Sequence, residues 1–204
     1  MLYKYKSKYF GMKSAVAQRY PGPVSAYYAP PLSPLSSWLK ADLRSDHAGE
    51  TGAVAIYKGI LAVTRHDNVR AFASGHLETE SNHLKLIEKI LSPADRSIML
   101  PLWSIAGYIT GALPALFGDK AVFQTIDAVE TFVDNHYREQ IVKLQRTPRH
   151  EHISNILERC RLDEVQHRDE ARNLAVGANN ICLKTWCKLV TFGSFVAVTI
   201  ARAI

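Results

Sequence analysis

From Ser36 onward the chain is a succession of long segments whose apolar residues recur at helical spacing, with little strict alternation. That spacing gathers apolar side chains on one face of a helix and leaves the other face polar. The first segment is predicted to run from Ser36 or Ser37 to about Arg65, and His66-Asp67-Asn68 supplies a break with cap-forming residues. A second helix is predicted from about Val69 to Leu91, where Ser92-Pro93 stops it. Another begins after Gly118-Asp119 and continues to about Gln145. Thr147-Pro148 then interrupts the chain and opens a helix to about Val176, ended by Gly177 and Asn179-Asn180. The β-branched residues are scattered, so the expected fold class is all-α.

Two segments depart from this amphipathic pattern. Met99 to Gly118 is twenty residues without a formal charge, and it contains Pro101, Trp103, Gly107, Gly111 and Pro114. Its length matches a bilayer crossing. The prolines and glycines argue against a straight span, and Gly107-x-x-x-Gly111 is a weak helix-packing motif. Leu189 to Ala201 is thirteen uncharged residues between Lys188 and Arg202, short for a crossing. Both segments are expected to lie in a membrane interface or to line an apolar channel. Two buried core helices are the plainer alternative.

Charge divides the chain. Residues 1–41 carry Lys4, Lys6, Lys8, Lys13, Arg19 and Lys40 and no acid, whereas acidic and basic residues balance from Asp42 onward. The net charge of +6 therefore belongs to the leading segment and does not describe a nucleic-acid surface. The expected organisation is a basic, Pro-rich extension over 1–38 and one helical domain over 39–204. The extension fits a mitochondrial presequence, with a disordered bacterial extension as the alternative. Three cysteines, Cys160, Cys182 and Cys187, form no Cys-x-x-Cys pair, which favours packed thiols over a disulfide framework or a zinc site.

The candidate chemistry lies in two Glu-x-x-His motifs, Glu80-Ser-Asn-His83 and Glu164-Val-Gln-His167. Each follows a helix carrying another glutamate, Glu50 thirty residues before the first motif and Glu130 thirty-four before the second. Positions three apart share a helix face, so each motif can present its carboxylate and imidazole together. Four helices contributing two lone glutamates and two such motifs is how a bundle holds two metal ions. Carboxylate and imidazole without thiolate suits iron or manganese. Four glutamates would balance two divalent cations. Glu50 stands among the small residues of Ala48-Gly49-Glu50-Thr51-Gly52-Ala53, and glycine inside a helix needs packing or function to justify it. Asp163 is placed to hold the second nitrogen of a histidine ligand. Asp46 and His47 are either supporting groups or exposed. Tyr137 shares the face of Glu130. His136 falls off that face in a regular helix and is expected beside the site rather than in it. Iron storage, peroxide handling and a structural bundle with accidental motifs are the competing readings.

Beyond this residue-level reading, Asp46-His47-Ala48-Gly49-Glu50-Thr51-Gly52-Ala53 followed by Ile56-Tyr57 resembles the opening motif of the 5-demethoxyubiquinone hydroxylases. Met99-Leu100-Pro101-Leu102-Trp103, Gly111-Ala112, Ala128-Val129-Glu130 and His136-Tyr137 are similar to later blocks. Asp163-Glu164-Val165-Gln166-His167-Arg168-Asp169 is similar to that family's second metal motif, and the resemblance covers roughly residues 39–204. It implies a ferritin-like four-helix bundle with two additional apolar helices for membrane contact. It implies two iron ions held by Glu50, Glu80, His83, Glu130, Glu164 and His167, with His136 and Tyr137 as catalytic neighbours. The implied reaction is hydroxylation of demethoxyubiquinol with O2 in ubiquinone biosynthesis. The implied place is the matrix side of the mitochondrial inner membrane, peripherally bound, or the cytoplasmic face of a bacterial inner membrane. A lipid-presenting accessory protein and a homo-oligomer are the implied partners. One departure is local: Thr79 precedes Glu80 where the family often has an acid, which weakens the expected support of the first histidine motif.

Overall fold

The computed structural model describes residues 34–177 and 181–204. The extension through residue 33 and the Asn179-Asn180 stop lie outside them. Six α-helices account for the described chain: α1 (Ser37–Val63), α2 (Asp67–Ile90), α3 (Leu100–Ala115), α4 (Asp119–Leu144), α5 (Glu151–Leu174) and α6 (Ile181–Ala203). Short 3₁₀ turns at Pro93–Asp95 and Pro148–His150 sit where prolines bar a continued helix. No strand occurs among the described residues. The all-α expectation holds.

Two hairpins, α1/α2 and α4/α5, form a four-helix core. Its apolar packing divides in two along the bundle. One end joins Leu39, Leu43, Ile87, Ile90, Ile141, Leu144, Ile153 and Leu157. The other joins Ile56, Ile60, Val69, Phe72, Val122, Phe123, Ile126 and Ala171. The middle of the bundle between these two clusters is left to polar side chains. Each large aliphatic residue buried at either end contributes roughly 1.5–3 kcal/mol, so the ends stabilise the fold and the middle is free for chemistry. Asp134 of α4 is buried and clasped by Arg161, Arg168 and Arg138 at 2.7–2.9 Å, which ties α4 to α5. Burial pushes its carboxyl up, but the three guanidinium groups outweigh that and hold it below the usual aspartate range.

The apolar segments differ from expectation in their limits. The run Met99–Gly118 becomes the shorter α3, with Pro101 in its first turn and Pro114 in its last. Gly118, at φ +98°, turns the chain into α4 through a conformation that favours glycine. α3 buries Trp103, Gly107, Gly111 and Pro114 on one face. A Cβ on Gly107 would strike the backbone of Gly52, and one on Gly111 would strike that of Ile56. The Gly-x-x-x-Gly motif therefore lets α3 lie directly on the backbone of α1.

The last helix is longer than the thirteen-residue segment suggested. It starts at Ile181 and runs for 23 residues, long and apolar enough to cross a membrane by length and composition. The extra turns come from residues around Lys184 and Lys188, whose charges hid them from an uncharged-run criterion. α6 packs along α1 and α4. Its end is fixed by Arg202 to Asp42 at 2.9 Å and by Arg44 to the Arg202 carbonyl at 3.3 Å.

Candidate metal centre

All six glutamate and histidine residues singled out from the sequence converge in the middle of the bundle. Glu50 comes from α1, Glu80 and His83 from α2, Glu130 from α4, and Glu164 and His167 from α5. Each is at most 4% exposed. Their donor atoms form two groups, Glu50-Glu80-His83-Glu164 and Glu80-Glu130-Glu164-His167, with atoms in each group within 4.8 Å of one another. Glu80 and Glu164 belong to both groups. His83 Nδ1 is 2.9 Å from Glu164 Oε1 and 3.8 Å from Glu80 Oε2. His167 Nδ1 is 2.9 Å from Glu80 Oε1 and 3.1 Å from Glu164 Oε2. The two motif glutamates thus stand between the two imidazoles, and the lone glutamates stand outside.

These short approaches are ion-pair contacts whose geometry falls short of aligned hydrogen bonds. Glu50 Oε2, Glu80 Oε1, both Glu164 oxygens, and Nδ1 of His83 and His167 are buried without a hydrogen-bond partner. Orphaned polar atoms this close would be costly unless a cation satisfied their converging lone pairs. The charge balance points the same way. Burial raises the Glu50 carboxyl well above its usual range against the pull of His83, and neighbouring Glu80 and Glu164 add to the rise. Glu130 is raised likewise, first by burial and then by Glu164 and Glu80. Burial also pushes Glu80 up, but His167 and His83 outweigh it and hold it below the carboxylate range. Burial pulls both histidines down, yet His83, beside Cys160, Asp163, Glu164 and Glu80, and His167, beside Glu164 and Glu80, end well above the imidazole range. Divalent cations would satisfy the same donors. The residues fit a pair of divalent metal ions.

Supporting groups follow the pseudo-twofold relation of the hairpins. Asp163 holds His83 Nε2 at 3.1 Å, reaching across from α5 to α2. The residue before the motif glutamate thus supports the histidine of the other hairpin. That corrects the expectation attached to Thr79, which by this symmetry concerns His167 rather than His83. The Thr79 hydroxyl turns back to the Gly75 carbonyl. His167 is instead braced by the edge of His76, ring centroids 3.9 Å apart, and His76 is held by Glu170 at 3.3 Å.

Two tyrosines complete the symmetry. Tyr137 donates to Glu50, and Tyr57 donates to Glu130 Oε1 at 3.1 Å. Tyr57 follows Glu50 by the same interval at which Tyr137 follows Glu130, so each phenol crosses to brace the other hairpin's lone glutamate. Sequence reasoning placed Tyr137 and missed Tyr57, although the equal spacing was available to find it. His136 lies beside the site, as its helical angle required, with Nε2 3.0 Å from Asp46 Oδ1. His47 is buried, with Nε2 3.5 Å from Glu88, so it is not exposed.

An apolar channel of about 350 Å³ leads to this centre. Its walls are α1, α3, α4 and α6, and Glu50, Glu80, Glu130 and Glu164 lie along it with Asp46, His136 and Tyr137. From α3 come Trp103, Ala106, Gly107 and Thr110, and from α6 come Trp186, Leu189, Val190 and Gly193. The two apolar helices line a channel, one of the two roles expected for them.

The model of the ubiquinone biosynthesis protein COQ7 matches residues 37–201. The chain belongs to the COQ7 family. Among its relatives are the NADPH-dependent 3-demethoxyubiquinone 3-hydroxylase, mitochondrial, of Mus musculus, 33% identical over 131 residues, and the 3-demethoxyubiquinol 3-hydroxylase of Rhodospirillum rubrum, 37% identical over 134. Each alignment takes in 62% of this chain and 60% of the relative, so the chain covers three fifths of those COQ7 relatives' length. Their names number the ring position as 3.

Proposed function

We propose that this chain is a di-iron monooxygenase that hydroxylates 3-demethoxyubiquinol with O2, completing a ring substitution in ubiquinone biosynthesis. The observation that carries this reading is a channel, apolar over most of its wall, that ends on two overlapping carboxylate–imidazole donor groups. Two ferrous ions bound there would supply the electrons and Lewis acidity for activating O2. Glu80 and Glu164, common to both groups, would help hold both ions. Glu50 and Glu130, held by Tyr137 and Tyr57, would each help hold one ion. The histidines would fill fixed positions, and Asp163 would orient His83.

The channel residues handle the organic substrate. Small side chains on α1 and α3 admit a planar ring beside Glu50. Val190 and Ala197 of α6 keep bulk water from the reacting carbon. An isoprenoid tail would leave between α3 and α6, whose outer faces expose Leu102, Ile105, Ile109, Leu189, Phe192 and Phe195. A patch of this kind suits a membrane surface, where the substrate is dissolved. The proposed location is peripheral at the mitochondrial inner membrane, matrix side, with residues 1–38 as an import signal ahead of a hydroxylase domain over 39–204. The bacterial relatives keep the cytoplasmic face of a bacterial inner membrane as the alternative. A lipid-presenting accessory protein and self-association remain part of the proposal.

The reading is tested with purified, iron-loaded protein in vesicles containing short-tailed demethoxyubiquinol, a reductant and isotopically labelled O2. One labelled oxygen in the product is the expected result. Iron oxidation with no change in product mass would reject the reading in favour of iron storage or peroxide handling.

Gly49 gives a sharper check on the channel. A Cβ there meets no atom within 4 Å, and the residue lines the channel next to Glu50. Gly49→Ala is expected to stabilise α1 by about 1 kcal/mol through helix propensity. Turnover of the quinol should fall about tenfold at unchanged iron content, as for lost fit in a pocket narrowed by one methyl group. Thermal melts beside steady-state kinetics would show the opposed changes.

A further inference from the structure

A second polar cluster lies on the channel wall, apart from the two donor groups. His136 Nε2 is 3.0 Å from Asp46 Oδ1 and 3.2 Å from Ser45 Oγ. Gln140 Nε2 is 2.6 Å from the same Asp46 oxygen and 2.8 Å from His136 Nε2. Asp46, Ser45 and Gln140 are each at most 3% exposed, and Asp46 Oδ2 is buried with no hydrogen-bond partner. Ser45, Asp46 and His136 all line the channel. Nothing in the metal centre requires such a cluster.

Its hydrogen bonds decide where the imidazole proton sits. The Ser45 hydroxyl donates to the Asp42 carbonyl at 2.6 Å, so toward His136 its oxygen accepts. Asp46 Oδ1, as a carboxylate oxygen, only accepts. Two acceptors face Nε2 against one donor group, the Gln140 amide, whose shorter contact is to Asp46 Oδ1 at 2.6 Å, and this arrangement favours the hydrogen on Nε2. The Gln140 amide nitrogen donates to Asp46 and lies near Nε2 because both aim at one oxygen. Turning that amide over would set its carbonyl oxygen against the carboxylate. Nδ1 is therefore the nitrogen with the free lone pair. The ring lies nearly parallel to Phe132, 9° between planes, which fixes its attitude.

We propose that Asp46 and Gln140 are positioning residues that hold His136 as the proton acceptor for the quinol hydroxyl. This rests on the hydroxylase reading. The O–H proton passes to His136 Nδ1, leaving a quinolate and an imidazolium that Asp46 stabilises. Every ring carbon of a hydroquinone that lacks oxygen is adjacent to a C–OH, so the quinolate enriches in electrons the carbon to be oxygenated. When the ring regains aromaticity after oxygenation, Nδ1 returns its proton to the quinol oxygen and His136 ends neutral. The ring C–H proton ends on the new hydroxyl. An aspartate fixing the tautomer of a catalytic imidazole is the arrangement that serves hydrolases. The other charged groups along the channel are Glu50 of α1, Glu80 of α2, Glu130 of α4 and Glu164 of α5; α3 and α6 line it with uncharged residues.

The test compares iron-loaded wild type with Asp46→Asn, measuring iron content, thermal stability, kcat and KM across pH. The expected result is wild-type iron and KM, with kcat lowered about 100-fold near neutrality, as for loss of general-base assistance. That deficit should narrow at high pH, where the quinol ionises unaided. A merely structural role would lower kcat only in proportion to iron and equally at every pH, and that outcome overturns the proposal. Should Asp46→Asn not fold, His136→Gln carries the same expectation, with recovery by added imidazole; no recovery and no pH dependence overturn it. Wild type that binds iron but leaves the quinol unchanged would instead reject the hydroxylase reading itself, and this proposal with it.

Discussion

Replacing Glu164 or Glu80 with Ala is expected to empty both metal positions, whereas replacing Glu50 or Glu130 is expected to cost only one. The reason is membership: Glu80 and Glu164 each belong to both donor groups, and Glu50 and Glu130 to one each. Losing a shared carboxylate removes a ligand from each ion and the negative charge that lets two cations sit close together. Hydroxylation should disappear in Glu164→Ala. The helices should persist, because neither apolar cluster of the core draws on the six ligand residues. Apo Glu164→Ala relieves repulsion on Glu50 and Glu130 but also takes the carboxylate partner from His83 and His167, so the two changes oppose each other in the empty protein. Ferrous iron should raise the melting temperature of wild type and leave that of Glu164→Ala unchanged, since stabilisation by a ligand requires binding to the folded state. Iron analysis of the four variants, beside circular dichroism, separates the outcomes. Glu164→Ala with wild-type iron and turnover would remove the shared role of Glu164 and the assignment with it.

The convergence of the six candidate ligand residues was legible in the sequence because helical geometry converts spacing into position. Glu80 with His83, and Glu164 with His167, can only share a face, and the two lone glutamates fall on the helices that precede them. The core was legible for the same reason. What the sequence withheld are relations between helices. Asp163 supports His83 rather than the histidine of its own helix, and Tyr57 braces Glu130 rather than Glu50. Neither crossing follows from periodicity, since each depends on how one hairpin is set against the other. Gln140 escaped notice because one helical turn beyond His136 it reads as a surface amide, and only the approach of Asp46 gives it a part. α6 was cut short because Lys184 and Lys188 interrupt its charge-free run, although a helix tolerates such residues on one side. The apolar composition of α3 and α6 showed that these helices were unusual. That they line a channel to the ligands depended on where α1 and α4 leave room.

Gly111→Val is expected to give the reverse dissociation, iron retained and hydroxylation lost. α3 carries none of the six candidate ligand residues, so it supplies no donor to the metal positions. Its backbone, however, rests on α1 through three contacts in line: Gly107 on Gly52, Gly111 on Ile56, and Gly59 on Tyr108. In each, the missing Cβ would fall on backbone of the other helix, which cannot yield as the end of a flexible side chain could. A valine at Gly111 must push α3 outward, at a cost of about 1–3 kcal/mol for overpacking. The displacement carries with it Trp103, Ala106 and Thr110, the wall against which the ring would lie. Near-attack geometry tolerates little such motion; misplacement by about 1 Å lowers rates roughly 100-fold. Gly75→Ala is the control, because its Cβ meets nothing within 4 Å and Gly75 lies on α2, away from both α3 and the channel. It should gain about 1 kcal/mol of stability from helix propensity and turn over normally. Full turnover by Gly111→Val would mean that α3 is not a wall of the substrate channel. Loss of iron along with turnover would mean instead that α3 braces the ligand helices, and the direct backbone contact with α1 would then serve the metal centre rather than the quinol.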